Sequence, residues 1–76
     1  MSYNRERAAD LVLALMQLTI HDGGRAWKSF DWDVMNDLCE RGLISDPRSK
    51  AKSVALSDEG MARSREMFQK YLAPAG

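Results

Sequence analysis

Apolar residues recur at helical intervals along the first third of the chain. Ala8, Leu11, Val12, Leu15 and Leu18 form one set, and Ala9, Leu13, Met16 and Ile20 a second. This spacing predicts a helix from about Asn4 to His21. Asn4 is a good N-cap. Gly23 and Gly24 supply a stop, because glycine accepts the left-handed conformation that ends many helices. A helix apolar over more than one stripe is buried on several sides. In so short a chain one side is expected to belong to a second copy. The expectation is a homodimer through Leu11, Val12, Leu15 and Leu18.

Two further helices are predicted. The second runs from about Trp32 to Arg41 behind the N-cap Asp31, with Val34, Met35, Leu38 and Cys39 facing inward. Phe30 and Met35 occupy the two positions of a hydrophobic staple. Gly42 is placed to end this helix, with Leu43 folding back on Leu38. The third runs from about Asp58 to Leu72, capped by Ser57, with Met61, Arg65, Phe68 and Leu72 along one face and Pro74 beyond its end. Between them, SVALS (53–57) alternates with Val54 and Leu56 on one side, the pattern of a half-buried strand. Leu43 and Ile44 are its expected partner across a basic turn. Residues 25–30 read as an irregular connection or a short strand, with Trp27 and Phe30 plugging the core. The order is helix, connection, helix, hairpin, helix.

Seventy-six residues make one small domain, assigned to 1–76. A chain of this size buries only about 60% of the surface its unfolded form exposes. One cysteine and one histidine allow neither an internal disulfide nor a Cys/His zinc site. Association with a second copy is the remaining staple. The lone thiol fits a reducing, cytoplasmic setting.

Arg5 and Arg7 before the apolar run LVLALMQLTI superficially suggest a secretory signal. Glu6 and Asp10 precede that run, Gln17 interrupts it, and no small-residue cleavage site follows. The run is also about half the roughly 20 residues of a membrane span, so no membrane association is expected.

Eleven basic residues balance eleven acidic ones. No global basic excess therefore points to nucleic acid. Local charge is less even: Arg48, Lys50 and Lys52 crowd the predicted hairpin tip, while Asp31, Asp33, Asp37 and Glu40 crowd the second helix.

The succession LCERGLISD, a basic loop, SVALS and DEGMARSREMF is similar to the second half of winged-helix domains. There a helix ends at glycine, a two-stranded wing follows, and a helix opens on a Ser/Thr-x-Glu-Gly-like turn. The resemblance implies that Gly42 turns the chain, that Leu43 and Ile44 anchor the hairpin, and that Gly60 permits close packing. Such domains usually place three helices before the wing, and two are visible here. Residues 25–60, RAWKSFDWDVMNDLCERGLISDPRSKAKSVALSDEG, also resemble a family of short bacterial proteins of unknown function. With weaker similarity on either side, that resemblance spans about residues 11–72, and it implies no activity.

The fold class is therefore mainly α with a small β-hairpin, winged-helix-like. Two functions follow. In the first, Arg48, Lys50 and Lys52, extended by Arg63 and Lys70, contact phosphates of a nucleic acid. In the second, the scaffold binds protein rather than DNA, through Trp32, Asp33, Asp37 and Glu40. The acidic second helix suits the second function, because affinity for DNA depends on neutralising phosphates. His21 and Cys39 are the only nucleophile–base candidates, and Cys39 lies on an inward face, so no enzyme is expected. Asp33 and Asp37 share a helix face but fall short of the ligands an oxygen-bound metal needs. No cofactor is expected.

Overall fold

The computed structural model describes residues 2–74. Met1, Ala75 and Gly76, the ends of the domain assignment, lie outside the described residues. Three helices form, α1 (Arg5–Met16), α2 (Trp32–Glu40) and α3 (Asp58–Tyr71), with two strands, β1 (Arg25–Trp27) and β2 (Ser53–Ala55). The protein is mainly helical with a small antiparallel β unit, as its hydrophobic pattern predicts.

The three caps act through side chains that reach only three residues ahead. Asn4, Asp31 and Ser57 accept from the amides of Arg7, Val34 and Gly60, satisfying donors that a helix start leaves open. At the end of α2, Gly42 has φ +74°. The Leu43 amide donates to the Leu38 carbonyl and the Gly42 amide to that of Cys39, which is the Schellman arrangement.

Helix α1 is shorter than expected. It stops at Met16 and continues as a single 3-10 turn, Gln17–Thr19, before Ile20 becomes extended. Thr19 explains the break. Its hydroxyl donates to the Met16 carbonyl and accepts from the Trp27 amide, a side-chain bond that competes with helix continuation. Gly23 and Gly24 therefore cap no helix. With Asp22 they take positive φ values of 46–117° and close a tight turn between His21 and Arg25.

Strand β2 is central. It pairs antiparallel with β1 in the register Arg25↔Ala55, Ala26↔Val54, Trp27↔Ser53. On its other edge Ser45 donates to the Ala55 carbonyl, and Ile44 bridges Leu56. The expected 43–57 hairpin thus closes through a single bridge, and residues 25–27 supply the longer partner. Residues 22–30 give a turn and a strand rather than a helix.

Strand alternation overturns one expectation outright. Ala26 and Val54 point into the core and are fully buried, so Trp27 points out and is 62% exposed. Phe30, by contrast, is half-buried against the core. That core gathers Ala9, Leu13 and Met16 of α1, Val34, Met35 and Leu38 of α2, and Ala26, Leu43, Ile44 and Val54.

Helix α3 also turns a different face inward. Its buried residues are Gly60, Ser64 and Met67, while Arg65 and Leu72 are exposed. Small residues let this helix lie close to its neighbours. Buried Ser64 donates to the Leu13 carbonyl at 2.5 Å and accepts from the Gln17 amide at 2.8 Å. Arg63 grips Asp10 through both of its carboxylate oxygens, and Arg5 grips Asp37 in the same way. These bonds tie α1 to α3 and to α2. No described helix is long and apolar enough to cross a membrane.

Candidate nucleic-acid interface

The five cations expected to form one basic patch differ in how the fold holds them. Arg48 folds back on Asp46, donating to its carboxylate through its backbone amide and its guanidinium. The same guanidinium holds the Asp46 carboxyl below the usual carboxylate range. Arg48 lines a depression with Asn36, Cys39, Glu40 and Asp46. Arg63 is held by Asp10 and lines another with Glu6, Arg41, Leu43 and Glu59. Lys70 stacks its ammonium 5.2 Å from the ring centre of Tyr71. Only Lys50 and Lys52 remain exposed in the loop with no carboxylate in bonding range among the described residues.

What sits beside Lys52 was hidden in the linear sequence. The β1–β2 register sets Trp27 opposite Ser53. His21, Trp27, Ser29, Lys52 and Ser53 together line an open depression of about 360 Å³. An exposed indole therefore lies next to a free ammonium, supplied by segments more than twenty residues apart. Two residues before Trp27, and on the same outer face of the strand, Arg25 donates through Nε to the Ser53 hydroxyl and through Nη2 to the Ser53 carbonyl, both at 2.7 Å. These acceptors are neutral, so the guanidinium keeps its full charge on this face.

The rim is held in place. Lys28 Nζ donates to the carbonyls of Pro47 and Ser49 at 2.9 and 2.7 Å. This clamp ties the loop bearing Lys50 and Lys52 to the β1 side of the molecule. His21 Nδ1 lies 2.7 Å from the Thr19 carbonyl. A carbonyl only accepts, so Nδ1 carries the hydrogen and Nε2 is left facing solvent, 4.0 Å from Asp22. Arg25 and Lys28 were not legible as site residues, and Trp27 and His21 were not legible as members of this face, because only strand pairing brings them to the loop.

The acidic helix is partly committed elsewhere. Asp37 is the partner of Arg5, whose hydrogen bonds hold its carboxyl below the usual range. Asp33 and Glu40 are exposed, and Trp32 is 49% exposed. Trp32 is thus the less exposed of the two indoles. Cys39 and His21 line separate depressions, so the fold does not join them as a dyad. Among the described residues no three His, Cys, Asp or Glu side chains cluster for a metal.

Comparison with known proteins agrees with the short-bacterial-protein resemblance. Residues 4–74 match the model of a domain of unknown function, DUF6429. An uncharacterised protein, y4hR, from Sinorhizobium fredii (strain NBRC 101917 / NGR234) is 49% identical over 70 residues, covering 92% of this chain and 95% of the relative. No solved structure matches. A family match over nearly the whole described chain, joined to a half-identical relative of similar length, makes this protein a member of the DUF6429 family, whose function is unknown.

Proposed function

We propose that the protein is a nucleic-acid-binding module that takes single strands on the outer face of its small sheet. One observation carries this reading: Trp27, 62% exposed, shares a depression with Lys52. Single-strand binders combine aromatic platforms for bases with cations that track the backbone. Arg25, Lys50 and Lys52 supply the cations, and Trp27 supplies the platform. A duplex is the poorer fit. The helix preceding the wing carries Asp31, Asp33, Asp37 and Glu40, and an acidic helix is repelled by a groove walled with phosphates.

The test uses Trp32→Phe protein, in which Trp27 is the only indole. Mixed-sequence single-stranded DNA and RNA should quench its fluorescence. Trp27→Ala should weaken binding roughly 5- to 150-fold, the worth of one stacked base at about 1–3 kcal/mol. Three phosphate contacts predict a salt slope near −2, at about 0.7 per contact. Absence of binding at low salt would sink the reading. Trp32 with the exposed Asp33 and Glu40 supports the second reading, a protein-interaction surface that meets a basic partner.

A further inference from the structure

We infer that the protein self-associates into an antiparallel homodimer by pairing α1 with α1 of a second copy. Leu11 and Leu15 of α1 and Leu18 of the 3-10 turn that continues it are spaced four and three residues apart, so they follow one face. They are 39, 40 and 66% exposed, although Ala9, Leu13 and Met16 on the opposite side are fully buried. From Leu11 to Ile20 the chain carries no charged residue. An uncharged leucine stripe of this kind marks a contact surface rather than a solvated face.

A second copy is the occupant that the charges favour. Net charge is zero, so two copies meet without overall repulsion. The two ends of the stripe carry opposite signs. Arg7 lies one turn before Leu11 and has no carboxylate in bonding range among the described residues. Asp22 follows the far end, with 82% of its side chain exposed. Two-fold pairing that sets Leu11 against Leu18 of the other copy brings the Arg7 end of one stripe to the Asp22 end of the other. It also opposes the two helix dipoles, which is their favourable arrangement. Parallel pairing would set Arg7 against Arg7. Three leucines fall short of the roughly 800 Å² per partner of a standard interface, so dissociation belongs in the micromolar range.

This pairing is independent of nucleic-acid binding, and so is its test. Sedimentation equilibrium of the full chain should show mass rising from 8.6 kDa toward twice that value across the micromolar range. Leu15→Glu should remain monomeric throughout with unchanged circular dichroism, because Leu15 is not part of the buried core. Leu18→Glu serves as a second variant should Leu15→Glu fail to fold. Orientation is read by cysteine cross-linking in a Cys39→Ser background. Leu15→Cys lies near the two-fold axis and should form an intermolecular disulfide under mild oxidation. Leu18→Cys should not, since antiparallel pairing separates its copies along the axis by about 10 Å at 1.5 Å per residue, beyond disulfide reach. Wild-type protein that stays monomeric at high micromolar concentration, or a Leu15→Glu variant that still dimerises, overturns the inference. Any other cross-linking pattern overturns the antiparallel arrangement.

Discussion

Gly60 lies directly on the backbone of Leu43, so closely that a Cβ at position 60 would overlap the Leu43 carbonyl oxygen. The same small region is laced by hydrogen bonds. Ser57 donates its amide to Leu43 and its hydroxyl to Gly42. The start of α3 is thus sewn to the turn that ends α2. Gly60→Ala sets two effects against each other. Helix propensity favours alanine by about 1 kcal/mol. The overlap is with backbone, which cannot swing aside, and overpacking costs about 1–3 kcal/mol. The net expectation is a loss of stability, read as a lower denaturation midpoint in urea. A variant as stable as wild type would show that α3 can shift freely.

Ser64 is the one buried polar side chain among the described residues, and its hydroxyl bonds there to Leu13 and Gln17. Ser64→Ala should destabilise by about 1–3 kcal/mol, because the half-buried Gln17 amide keeps only the weak sulfur acceptor of Met61. Replacing both partners is expected to cost less than the sum. Gln17→Leu combined with Ser64→Ala should recover part of the loss. Thermal melts of the two single variants and the double variant give this coupling.

Acid should loosen the α1–α2 junction. The Asp37 carboxyl is held below its ordinary value mainly by hydrogen bonds from Arg5. A depressed folded value contributes stability that is fully present above the unfolded pKa. That contribution disappears as pH falls through the folded value. Asp37→Asn should therefore melt earlier than wild type at neutral pH. The two melting curves should converge once pH falls below the carboxylate range. A gap that stays constant with pH would mean that the Arg5 pairing contributes nothing.

Trp27 and Lys28 should separate binding from folding. Because Trp27 is exposed, Trp27→Ala should shift stability by no more than about 0.5 kcal/mol while weakening binding to a dye-labelled single strand, read by anisotropy, roughly 5- to 150-fold. Lys28→Met removes the clamp on Pro47 and Ser49. Hydrogen exchange should then quicken in residues 48–52, with the rest of the protein unchanged. Single-strand binding should weaken alongside. Unchanged exchange in the loop would show that the clamp does not order it.

The features legible in the sequence are those that depend on near neighbours. Asn4, Asp31 and Ser57 each cap a donor three residues on, and Gly42 turns the chain within its own motif. Three choices depended on distant residues and a fourth on the shape of a local turn, and these were not legible. Trp27 looked like core because its strand partner lies at Ser53, and only that pairing shows which face is outer. The inward face of α3 runs through Gly60 and Ser64, which carry no apolar signature and matter by being small. Arg63 reads as a free cation until Asp10, 53 positions earlier, is seen to hold it. Arg48 reads the same way, though its partner Asp46 is close by. Its turn folds the guanidinium back where an extended hairpin tip would have offered it to solvent.

Strand β1 comes before α2 and β2 after it, so the ribbon Arg25↔Ala55 to Trp27↔Ser53 closes a ring of chain that contains that helix. Closing a long loop costs entropy before any contact repays it. The ribbon is therefore expected to zip late in folding, after α2 has formed, and to part early when the protein is stressed. Trp27 and Lys52 sit on opposite lips of that seam. The face they make together exists only while the ring is shut, so a ligand lying across it would act as a latch on the chain's own closure.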